Sequence, residues 1–149
     1  MQPARIEPGV PGAAMLGAVP ALGAALIAVN DLWLRRHGPG WLSGKLSDVG
    51  ICLLFPVLLL ATAQWLGWAT RWSHRWRPSA PAAAALACLI AGAYFAGLET
   101  IPALAMWHSR TLAASFGLAV HATADPTDLF ALLALPAAYL YLLRSSRTW

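Results

Sequence analysis

Four apolar runs, each near the length that crosses a bilayer, divide this chain and leave only short linkers between them. They cover about 13–34, 46–69, 82–107 and 126–143. A helix rising about 1.5 Å per residue needs roughly 20 residues to cross about 30 Å of hydrocarbon. Helix is the state these runs must take, because a lone strand facing lipid leaves its backbone N–H and C=O groups unsatisfied. Composition agrees. The chain is 59% apolar and 11% charged, where soluble domains run at about 45–50% and about 25%. That balance excludes a water-soluble globule, and it excludes a disordered tail, which needs low hydrophobicity. At 149 residues the chain forms one domain. The predicted fold class is all-α: an integral membrane four-helix transmembrane bundle.

Each run carries an internal proline, Pro20, Pro56, Pro102 and Pro136. In a bilayer, neighbouring helices can serve the carbonyl that proline frees, so kinked helices are predicted rather than broken ones. Gly12, Gly17, Gly23, Gly92 and Gly97 let helices approach closely. Gly38-Pro39-Gly40 reads as a turn. The segment 108–124 holds a ten-residue apolar stretch, too short for a fifth span, and is predicted to be interfacial or re-entrant. The first run is too long for a signal-peptide core and is read as a retained span. Cys52 and Cys88 fall at different depths and are expected to be small packing residues without a disulfide.

Basic residues set the orientation. Arg5, Arg71, Arg75, Arg77, Arg144 and Arg147 fall on one side of a four-span chain; Arg35, Arg36, Lys45 and Arg110 fall on the other. The positive-inside rule then places both termini in the cytoplasm. Trp33, Trp41 and Trp107 mark the outer interface, and Trp65, Trp68, Trp72, Trp76 and Trp149 the inner one. The bases flank membrane spans, so no nucleic-acid partner is expected.

The acids are more informative. Apart from Glu7 they are Asp31, Asp48, Glu99, Asp125 and Asp128. Ends of odd helices and starts of even helices share a side in an up-down bundle, so all five gather in one half of the membrane. Ionisable groups inside spans are costly and face a bundle interior or a wet cavity. With a span ending at Trp107, Glu99 lies about 12 Å below that end and is the acid least able to reach water. Lys45 and Arg110 are the counter-ions at hand, and Lys45 is spaced to pair with Asp48 on one helix face. Asn30, Ser47, His108, His121, Thr100 and Thr127 add polar partners.

Plainer roles compete with each of these. Asp125-Pro126-Thr127-Asp128 has the form of a helix start, with Asp125 at the N-cap, proline at N1 and Asp128 answering the helix dipole. Ser47 and Asp48 can open the second helix in the same way. Asp31 can pair with Arg35, four residues on. Clustered carboxylates suit a divalent cation such as Mg²⁺, Mn²⁺ or Ca²⁺, yet no spacing here specifies a metal site and no cofactor is predicted. No nucleophile elbow or phosphate loop is present, so no catalytic residue is assigned.

Lys45-Leu46-Ser47-Asp48, then Glu99, Arg110, and Asp125-Pro126-Thr127-Asp128-Leu129-Phe130-Ala131 follow one another in an order that resembles the VanZ-like membrane proteins. Those are small bacterial four- to five-span proteins linked to glycopeptide resistance. The resemblance covers roughly the last hundred residues. Pro102 and Leu132 stand where the family often has Gln and Asn. The resemblance implies the multi-pass architecture and a cell-envelope setting.

The leading functional expectation is a polar pocket among Asp48, Glu99, Asp128, Lys45 and Arg110, joined by Asp125, Asp31 and Asn30. It would bind a lipid-linked or cell-envelope head group, so membrane lipid is the expected partner. The alternative is a non-enzymatic accessory subunit in which the same charges only fix helix packing, as a homo-oligomer or beside a partner membrane protein. Ion or proton movement is disfavoured, because Tyr94 is the sole polar side chain between Cys88 and Leu98.

Overall fold

A computed structural model describes residues 10–70, 79–117 and 124–145. They are helical almost throughout, with no strand among them. Four stretches are long and apolar enough to cross a membrane: Ala18–His37, Leu42–Ala69, Ala80–Thr100 and Pro126–Ser145. The all-α four-span architecture is therefore borne out.

Local sequence explains where the helices begin and end. Pro39, in extended conformation at φ −67° and ψ 133°, precedes the helix Gly40–Ala69. Pro81 occupies the first turn of Ala80–Thr100, where its missing N–H has no partner to lose. Gly117, at φ 65°, closes the helix Pro102–Phe116 in the left-handed conformation that glycine adopts without strain. The helix Ala18–Val29 runs on through a π turn, Asn30–Leu34, into a last turn, Arg35–His37.

The second span is the axis of the bundle and packs against the other three. It crosses the first where Gly23 meets Gly50. A Cβ added at Gly50 would come 2.7 Å from the Gly23 carbonyl oxygen, so the crossing admits hydrogen alone on both sides. Ala14, Val57, Ala84, Cys88 and Leu142 form one buried cluster, and Cys52, Phe95 and Ala131 a second. Both cysteines are free and buried, as expected. Leu58, Leu86, Leu89, Phe130 and Leu133 point outward, as lipid-facing side chains do.

Polar ties fix the alternation of the spans. At one end the Gly12 N–H donates to Gln64 Oε1 at 2.8 Å, and the Tyr141 hydroxyl donates to the Ala14 carbonyl at 2.5 Å. At the other end Asn30 Nδ2 donates to Ser47 Oγ at 2.7 Å, and Lys45 reaches Asp128. The chain thus runs up and down four times, and the Lys45 end collects the last turns of spans one and three and the first turns of spans two and four.

Three sequence expectations change. Pro102 breaks its run instead of kinking it: Ile101 is extended at φ −118° and ψ 97°, and the third span stops at Thr100. The cause is steric, since the proline ring drives the preceding residue out of the helical region. Beyond the break, Pro102–Phe116 folds back on the third span as a helical hairpin. Leu104 lies against Gly97, and the Tyr94 hydroxyl and His108 Nδ1 are 2.7 Å apart. The helical segment after the third span therefore begins at Pro102 rather than 108, and positions 118–123 lie outside the described residues. By contrast Pro56 lies within an uninterrupted helix. The second helix also starts earlier than expected, at Gly40, which puts Ser47 and Asp48 inside it.

The fourth span begins in an unexpected conformation. Pro126–Ala134 is a nine-residue 3-10 helix, and only Leu135–Ser145 is α-helical. Runs of this tighter helix longer than about four residues are uncommon. Here three residues to a turn stack Asp125, Asp128, Ala131 and Ala134 in one column. That column faces the bundle: Ala131 is buried and Asp128 half-buried.

Candidate functional site

At the Lys45 end, side chains from three spans converge. Lys45 Nζ donates to Asp128 Oδ1 at 2.6 Å and to Thr127 Oγ1 at 2.9 Å, joining the second span to the fourth across more than eighty residues. The bond is an ion pair with the lysine side chain 35% and the aspartate 17% exposed. Glu99, in the last turn of the third span, accepts from the Asp125 backbone N–H at 3.1 Å. Asp125 accepts from the Thr127 backbone N–H at 2.9 Å and caps the 3-10 helix, as its place in the sequence implied. Bonds from the Thr127 backbone N–H, then from the Thr127 hydroxyl, hold the Asp125 carboxyl below its ordinary value.

Asp48 completes the group. It is half-buried one helical turn from Lys45 and within electrostatic reach of Asp128, Glu99, Lys45 and Asp125. Among the described residues its side chain makes no hydrogen bond or ion pair. Four carboxyl groups from three spans therefore lie within electrostatic reach of one ammonium, and Asp128 alone bonds to it.

Asn30 and Asp31 form an adjoining arm at the same end. Asn30 is fully buried at the start of the π turn, where its amide donates to Ser47 and, at 3.1 Å, to Asp31 Oδ1. Its own Oδ1 is buried without a partner among the described residues. Asp31 pairs with Arg35 at 3.6 Å, as the i,i+4 spacing implied, but both side chains are more than half exposed and the pair contributes little.

The structure thus brings Lys45, Asp48, Glu99, Asp125 and Asp128 together and corrects four details. Lys45 pairs with Asp128 rather than with Asp48, because Thr127 and Asp128 reach it from the first turn of the 3-10 helix. Glu99 lies at the end of its span rather than deep within it, because the helix stops at Thr100. Ser47 and Asp48 do not open a helix. Arg110 is exposed on the hairpin helix and belongs to neither ion pair found among the described residues. His121, the bases Arg5, Arg71, Arg75, Arg77 and Arg147, and Trp72, Trp76 and Trp149 lie outside the described residues.

Two polar contacts were not expected from the sequence. Gln64 ties the far end of the second span to Gly12, and its Nε2 is buried without a partner among the described residues. A lone amide in an apolar run was the available signal. The Tyr94–His108 contact had none, since it depends on the hairpin. Among the described residues no group of three or more His, Cys, Asp or Glu side chains is placed to hold a metal ion. No family model matches this chain, and no curated protein or solved structure matches it.

Proposed function

We propose that this four-span membrane protein binds the head group of a lipid or lipid-linked envelope component at the Lys45 end. The observation that carries the reading is the imbalance of charge there: Asp48, Glu99, Asp125 and Asp128 lie within electrostatic reach of Lys45, only Asp128 bonds to it, and the Asp48 side chain has no bonding partner among the described residues. Carboxylates held without compensation in a bilayer protein are costly, and they are characteristic of binding sites and ion pathways. In this reading the Lys45 end faces the outer leaflet of a bacterial inner membrane and both termini are cytoplasmic, in line with the distribution of basic residues. The resemblance to VanZ-like proteins points to the same setting and rests on the motif residues alone.

The test is native mass spectrometry of lipids and envelope precursors that co-purify with the full chain. Glu99→Gln and Asp48→Asn should each reduce the bound complement while the protein still melts cooperatively. An unchanged complement in both variants would remove the reading.

A second reading has its own support in the Lys45–Asp128 bond, which staples the second span to the fourth. Here the charges only fix helix register. Lys45→Met would then lower the melting temperature in detergent and leave the bound lipids as they were.

A further inference from the structure

The π turn Asn30–Leu34 packs against the second span, and the side chain at its start is closed to solvent. Asn30 is 0% exposed. Both hydrogens of its amide nitrogen are spent, one on Ser47 Oγ at 2.7 Å and one on Asp31 Oδ1 at 3.1 Å. Exchanging the amide's oxygen and nitrogen would break both bonds, so its orientation is fixed. The group left over is therefore an acceptor: Oδ1, buried and without a partner among the described residues. A buried acceptor left unmet is costly, and this one calls for a donor or a cation.

A second polar group on the same seam is also unspent. Ser43 is buried, and its hydroxyl makes no hydrogen bond among the described residues. It lies one helical turn from Ser47, on the face of the second span that brings Ser47 to Asn30 and Gly50 to Gly23. Ser47 Oγ accepts one bond from Asn30 and has a lone pair to spare. Asp31 adds a single carboxylate, one amide away, whose contact with Arg35 is exposed and 3.6 Å long.

The chemistry of these groups selects a ligand. Amide, hydroxyl and carboxylate oxygens suit a hard cation, and no thiolate or imidazole stands among them to favour a softer metal. One carboxylate balances one positive charge rather than two. A π turn interrupts the regular i→i−4 ladder, and membrane helices that depart from α geometry are where sodium is held by neutral oxygens.

We propose that the seam between the π turn and the second span binds a sodium ion, with Asn30 Oδ1 and the hydroxyls of Ser43 and Ser47 as ligands and Asp31 supplying the balancing charge. The site is distinct from the Lys45 group: Asp48, next to Ser47 but about 100° around the helix, is within electrostatic reach of the third and fourth spans. It stands independently of the head-group reading.

The experiment melts the full chain in mild detergent in sodium, potassium or choline chloride at one ionic strength. Sodium should raise the melting temperature saturably above its value in choline, as a ligand of the folded state does, and potassium should raise it less. Ser43→Ala removes one hydroxyl with little change of shape. It should keep the melting temperature in choline and need about tenfold more sodium for half the shift, the scale of one lost polar contact. Asn30→Ala should lose the shift altogether. A single melting temperature in all three salts overturns the proposal, and so does a sodium response of native midpoint in Ser43→Ala. A shift abolished by Asp48→Asn but intact in Ser43→Ala overturns it too, by placing the ion among the Lys45 carboxylates.

Discussion

Asp125 shows how one side chain serves two ends in this protein. Its carboxylate caps the fourth span, and its backbone N–H occupies Glu99. Because its folded pKa is depressed, the stability it contributes is full above its ordinary value of 3.8 and is lost as pH falls below it. The melting-temperature gap between the native chain and Asp125→Ala should thus be complete at pH 7 and shrink as the medium is taken below pH 3.8. A gap that persists at pH 2 would mean the carboxylate's charge is not what matters. Gly50 is equally exacting for a steric reason. Gly50→Val would press on the Gly23 carbonyl and the Ile27 side chain, costing about 1–3 kcal/mol by overpacking in reversible unfolding. Asp125 and the Asp31–Arg35 pair were readable from residue order because their partners lie within four positions. The Lys45–Asp128 bond was not, since local spacing offered Asp48 as the nearer partner.

At the level of elements, hydropathy located the spans but not their direction changes. The run 82–107 is apolar throughout, and hydropathy does not register that the chain reverses at Ile101. The residue before a proline is biased toward extended backbone, and that was the signal in the sequence. The hairpin is held where Leu104 packs on Gly97 and where Tyr94 meets His108. Tyr94→Phe should cost about 0.5–1.5 kcal/mol in unfolding free energy, the net worth of one such hydrogen bond. It should also raise protease access to Pro102–Phe116. No change in either would show that packing alone holds the hairpin. The 3-10 start of the fourth span had no signature in composition, because the same residues could equally wind as α-helix.

For the whole molecule, the alternation of the spans was legible from run lengths, and it decides which residues share an end. Cysteines placed at Gly38 and Ala124 should react with an impermeant reagent from the same side of sealed vesicles, and one at Ser145 from the other. The native Cys52 and Cys88 are buried and leave the background low. Labelling of all three from one side would dismantle the bundle as described. Leu142 is 1% exposed and shares a buried cluster with Ala14, Val57, Ala84 and Cys88. Leu142→Ala should therefore cost about 2–5 kcal/mol through the cavity it opens, read as a lower midpoint in detergent unfolding.

The winding of the fourth span also bears on the thickness of membrane the protein can accommodate. At about 2.0 Å per residue over Pro126–Ala134 and about 1.5 Å over Leu135–Ser145, its 20 residues extend to about 34 Å. Each residue that rewinds to the wider coil draws the span in by about 0.5 Å. In a thin bilayer this span can match the hydrocarbon by changing its pitch, where an unbroken α-helix can only lean.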